Sequence, residues 1–131
     1  MNSKKQTLLL TGILSFALIV FISSCNKKDE GTGAPVISLQ SPADNSMMTT
    51  GDTLTITGTI TDDEALHEVS VLIIKSTGDT AFQEYPYVHA LKTYNLSYRY
   101  KPTTAGDYTV KVTAEDHDEK NTTVSRALTV M

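Results

Sequence analysis

One cysteine, Cys25, and no tryptophan occur in 131 residues. A lone thiol excludes an intramolecular disulfide, so any core must hold without covalent staples. The longest apolar run spans residues 8–22 and is interrupted by Thr11, Gly12 and Ser15. It falls short of the ~20 residues a helix needs to cross a bilayer. After residue 30 no stretch repeats with a period of 3.6, which argues against helices. There is no Gly-x-Ser-x-Gly elbow and no phosphate-cradling glycine loop. His67-Glu68 lacks the second histidine of a helical zinc-protease motif. These absences leave no candidate catalytic residue, and the chain is not expected to be an enzyme.

The N-terminus carries an address. Lys4 and Lys5 precede the apolar run, the layout of a secretory signal. The run ends in Ile22-Ser23-Ser24-Cys25. This resembles the lipobox of bacterial lipoproteins, which implies cleavage before Cys25 and acylation (palmitate) of its thiol. Acylation also removes a free thiol from an oxidising compartment. The following Asn26-Lys27-Lys28-Asp29-Glu30 resembles the export signal of surface lipoproteins of the Bacteroidota. The expected organisation is a signal peptide at 1–24, a lipidated, charged linker at 25–34, and one domain at 35–131. The expected location is the outer membrane, facing the cell surface, with a periplasm-facing anchor as the alternative. Without residues 1–24, nine basic side chains face fifteen acidic ones. That balance disfavours phosphate backbones, so no nucleic acid partner is expected.

What the remainder has is alternation. In Thr53-Leu-Thr-Ile-Thr-Gly-Thr-Ile-Thr61, Leu54, Ile56, Gly58 and Ile60 share one face and threonines the other. A half-buried strand requires that pattern. It recurs at Val69, Val71 and Ile73; at Tyr94, Leu96, Tyr98 and Tyr100; at Tyr108, Val110, Val112 and Ala114; and at Val124, Leu128 and Val130. Val36, Ile37 and Leu39 suggest a first strand, ended by the turn formers of SPADNS, and residues 80–92 a strand broken at Pro86. Seven short strands predict an all-β fold, a single seven-stranded antiparallel sandwich.

The segments PVISLQSPADN, GDTLTITGTITDD and AGDYTVKVTAED resemble bacterial Ig-like domains of small Bacteroidota lipoproteins. The resemblance spans residues 35–130 and implies the sandwich fold rather than an activity. It lacks the cysteine pair and tryptophan of antibody domains. The start at Gly106-Asp-Tyr108 is similar to a tyrosine corner, which implies a Tyr108 hydroxyl bonded back to the main chain.

With strands alternating in direction, the connections at 62–67, 86–92 and 115–121 lie at one end. All three histidines fall there: His67, His89 and His117. With Asp62, Asp63, Asp116 and Asp118 they are candidate ligands for a divalent metal, zinc or copper for a histidine set and calcium for oxygens. Against this, Asp62 and Asp116 are equally suited to bonding the backbone of their own turns. Tyr85 and Tyr87, around Pro86, are candidate stacking platforms for a glycan. The expected function is a lipid-anchored, non-catalytic binding or accessory domain, with metal or glycan binding as alternatives. Its expected partners are the membrane, through the anchor, and an outer-membrane protein or glycan. The first strand starts at the histidine end, and a nine-residue linker stretches only about 30 Å. The anchor should therefore hold that end toward the membrane.

Overall fold

The computed structural model describes residues 33–131. The expected signal peptide and lipobox, Cys25 and most of the expected linker lie outside the described residues. Eight strands follow in chain order: β1 (Val36–Ser41), β2 (Ser46–Met48), β3 (Leu54–Thr61), β4 (Leu66–Lys75), β5 (Thr80–Glu84), β6 (Thr93–Tyr100), β7 (Gly106–Asp116) and β8 (Asn121–Val130). They form two sheets, β1-β3-β6 and β2-β8-β7-β4-β5. Among the described residues no helix is long and apolar enough to cross a membrane.

Two expectations need correction. Among the described residues there are eight strands rather than seven, and the sandwich is not wholly antiparallel. β2, which begins on the last residue of the stretch read as a turn, runs parallel to β8 with Ser46 opposite Leu128 and Met48 opposite Val130. Three residues are too few to show an alternation, so the strand exists only because β8 offers an open edge. The segment between β1 and β2 carries the chain from one sheet to the other. There Asp44 Oδ1 accepts from the Ala127 N–H at 2.8 Å, tying the crossing segment to β8.

The core follows the alternation. Leu54, Ile56 and Ile60 of β3 face Val69, Val71 and Ile73 of β4 and Val110, Val112 and Ala114 of β7, all buried. The threonines of β3 are exposed or half-buried. Gly58 sits where β1 crosses closest: a Cβ built there would lie 2.4 Å from the Ser38 carbonyl oxygen. At one side of the sandwich Phe82 of β5 meets Tyr98 and Tyr100 of β6, with ring centroids 6.1 and 5.9 Å apart. The tyrosines of β6 thus close the seam between sheets, and Tyr94 and Tyr98 join hydroxyls at 2.7 Å.

Registers set the poles. Val36 and Thr93 both lie opposite Thr61, and Leu66 lies opposite Asp116. The start of β1, the β3–β4 loop, the end of the β5–β6 connection and the β7–β8 hairpin therefore share one end.

Candidate metal centre

Three different devices bring the histidines together at that end. On β4, pairing steps from Leu66–Asp116 to Glu68–Glu115, so His67 is an extra residue without a register partner. The burial sequence records the same bulge: Leu66 and Val69 are buried with two exposed residues between them. A bulge re-aims side chains at a sheet end, and here it frees His67 from the core-facing alternation. His117 is the first residue of the β7–β8 turn, directly after buried Asp116. His89 follows Val88, whose side chain is buried in the core and anchors the β5–β6 connection.

That connection is fixed to the neighbouring loop by its backbone. The Leu66 N–H donates to the Leu91 carbonyl at 2.8 Å, and the Asp62 N–H to the Lys92 carbonyl at 3.0 Å. Lys92 Nζ donates to the Asp63 carbonyl at 2.8 Å. The three imidazoles consequently crowd one another. Ring centroids are 4.9 Å apart for His67–His117, 4.6 Å for His89–His117 and 5.9 Å for His67–His89, all edge-on. One ring nitrogen from each lies within 4.8 Å of the other two, and all three residues are exposed.

The aspartates have other work. Asp62 Oδ1 accepts from the Glu64 N–H at 3.0 Å. Asp116 Oδ1 accepts from the N–H groups of Asp118 and Lys120 at 2.8 and 2.9 Å. Both residues are buried, and the second oxygen of each accepts no hydrogen bond among the described residues. These carboxylates shape the loops, because a short acceptor satisfies turn N–H groups that the ladder leaves over. Asp118 forms an ion pair with Lys120 at 3.3 Å. Neither Asp62, Asp63, Asp116 nor Asp118 joins the histidine group. Tyr85 and Tyr87 are exposed, Tyr87 by 86%. The Tyr87 ring stands 6.3 Å from that of His89, which puts it beside the histidine group.

Sequence reading missed the bulge and the Val88 anchor. The first had a signal: Leu66 and Val69 are three apart, where a strand allows two. The second had none, since one valine between prolyl and glycine-poor loop residues carries no period.

The sequence model of the bacterial Ig domain matches residues 35–124. The chain belongs to that family. No curated protein sequence matches it. Among solved structures the chain is similar to an engineered protein, with 19% identity and a TM-score of 0.53 over 74% of this chain and 20% of that one. It is similar to the CARDB domain of a Pyrococcus furiosus protein in complex with di-metal ions, at 11% identity and TM-score 0.50, covering 75% of this chain and 90% of that one. Fibronectin(III)-like modules of CbhA from Clostridium thermocellum share 20% identity at TM-score 0.48, covering 76% of this chain and 46% of theirs. The chain thus spans less than half of the engineered protein and of the CbhA modules. At these identities the likeness concerns the fold. An Ig-like fold is compatible with a non-catalytic binding or accessory module.

Proposed function

We propose that this Ig-like domain binds a late transition metal ion, Zn²⁺ or Cu²⁺, through His67, His89 and His117, and that a lipid on Cys25 holds it at the outer membrane, facing the cell surface. The observation that carries the metal reading is the approach of three imidazole nitrogens to within 4.8 Å. A bound ion at about 2.0–2.1 Å from each nitrogen would draw them to roughly 3.3 Å apart. The three imidazoles are exposed, and rotation of their side chains makes that adjustment. Neutral imidazole suits zinc and copper, while Asp62 and Asp116, which would have favoured calcium, bond loop backbone instead.

The anchor is supported by the sequence around Cys25. Within the domain, β1 starts at the histidine pole, with Val36 opposite Thr61. Function in this reading is metal capture at a membrane, with the sandwich as a rigid mount.

Metal analysis of the purified full chain tests the centre. One equivalent of Zn²⁺ or Cu²⁺ should remain after dialysis, and its presence should raise the melting temperature, by linkage of binding to folding. The His67→Ala/His89→Ala/His117→Ala variant should keep none. Identical metal content and melting for the two proteins would sink the reading. Cys25→Ser should release the protein from membranes and abolish incorporation of labelled palmitate.

A further inference from the structure

This inference rests on the metal reading above and concerns what the metal does with its remaining coordination sites. Three protein nitrogens do not fill the shell of zinc or copper, which take at least four donors. Among the described residues no further histidine, cysteine or carboxylate joins the group. All three histidines are exposed, so an ion held among them faces solvent. Such a centre has the form of sites that keep a position for an outside ligand rather than of closed structural sites.

The surroundings discriminate between outside ligands. Asp63, Glu64, Asp118 and Glu119 are exposed on the β3–β4 and β7–β8 connections next to His67 and His117, against Lys92 and Lys120. Lys92 Nζ bonds the Asp63 carbonyl and keeps its charge, and Lys120 is paired with Asp118, so the acidic side chains still outnumber the cations. The ion's own double charge draws carboxylate or phosphate, but the carboxylates around it offset that pull, whereas a neutral nitrogen donor meets no such opposition. Near the histidine group are two large exposed apolar residues: Tyr87, whose ring is 6.3 Å from that of His89, and Leu91, two residues after His89, whose carbonyl accepts from the Leu66 N–H next to His67. Their side chains offer contact area to a polypeptide and none of consequence to a free small donor.

We propose that the metal held by His67, His89 and His117 keeps an open position that takes the imidazole of a histidine in a partner polypeptide, which packs its neighbouring apolar side chains on Tyr87 and Leu91. The bond formed is a dative one from the imidazole lone pair to the metal, and it displaces a water. The centre is then a docking point that joins this domain to a histidine-bearing protein through the ion.

The test uses the full chain loaded with one equivalent of Cu²⁺, followed by electron paramagnetic resonance and the visible ligand-field band. Three probes are titrated: imidazole, inorganic phosphate and the peptide acetyl-Leu-His-Leu-amide. The expected result is a fourth nitrogen in the spectrum with both imidazole and the peptide, the peptide saturating at several-fold lower concentration. Tyr87→Ser/Leu91→Ser should remove the peptide's advantage and leave imidazole binding unchanged. Asp63→Asn/Glu64→Gln/Glu119→Gln should raise phosphate binding several-fold and leave imidazole binding unchanged. Spectra that stay constant while copper remains bound would overturn the open position. Equal binding of peptide and imidazole in both proteins would overturn the polypeptide partner. Phosphate binding unmoved by removal of the three acids would overturn the charge argument. Failure to load copper at all would instead remove the metal reading, and this inference with it.

Discussion

The Tyr108 hydroxyl donates to the Thr104 carbonyl at 2.8 Å, four residues back along the chain. Tyr108 is buried at the start of β7, and its hydroxyl also meets the Thr104 hydroxyl at 2.8 Å. The bond fastens the loop before β7 to the strand that forms the centre of the larger sheet. Removing the donor leaves a carbonyl to re-pair with water while the ring stays packed. Tyr108→Phe should cost about 1–1.5 kcal/mol. In a domain of this size that lowers the melting temperature by roughly 4–12 °C. Calorimetry checks it, and an unchanged melt would mean that the corner is not a stabilising contact here.

Gly58 is the second point where one atom matters. Its missing Cβ makes room for the β1 backbone, with the Ser38 carbonyl oxygen at 2.4 Å from the position a Cβ would take and the Leu39 Cα at 3.0 Å. Both obstacles are main chain, so no side-chain rotation relieves them. Gly58→Ala should destabilise by about 1–3 kcal/mol, the range of overpacked cores, by displacing β1 from β3. Urea unfolding measures the loss, and hydrogen exchange should place it at the β1–β3 pairing. Equal stability of the variant would mean that β1 shifts without cost.

The phenol of Tyr98 is held above its ordinary range, first by burial, then by its bond to Tyr94 and by the charges of Tyr94 and Glu84. Burial likewise raises Tyr100, with Tyr108 adding to it. A raised value in the folded state means that the native protein prefers the protonated phenol. The stabilisation is fully present below about pH 10, where the unfolded phenol ionises, and is lost as pH climbs through the folded value. Unfolding free energy should be flat from pH 8 to about 9.5 and fall above it. Tyr98→Phe should make that alkaline decline shallower without abolishing it, because Tyr100 remains. The same slope in both proteins would exclude Tyr98 as its source.

How much of this was legible in the sequence depends on the range of the interaction. The β3 face of Leu54, Ile56, Gly58 and Ile60 is set by a period of two along nine residues, and the structure buries that face. The tyrosine corner needed only a local pattern at Gly106-Asp-Tyr108. β2 was illegible, since three residues gain their strand character from β8, about eighty positions away. That the histidine loops share one end followed from counting strand directions. The distances among the imidazoles did not. They depend on a bulge at His67 and on Val88 gripping the core, both of which are tertiary. The aspartates show the opposite case: their residue type suited both metal and turn, and backbone geometry decided for the turn at Asp62 and Asp116.

Asp116 connects that decision to the metal centre. Its Oδ1 gathers the N–H groups of Asp118 and Lys120, and the residue between it and Asp118 is His117. The carboxylate thereby sets the hairpin from which His117 reaches His67 and His89. Asp116→Ala strands two turn donors and should cost about 1–3 kcal/mol, while loosening His117. Zn²⁺ affinity should fall about ten-fold or more, in the range found when groups supporting a ligand are removed. Asp116→Asn keeps a carbonyl oxygen for the two N–H groups and should retain most of the affinity. Isothermal titration of both variants separates the roles. If alanine and asparagine weaken zinc binding equally, Asp116 acts through its charge. If neither does, His117 is held by the strand ends alone.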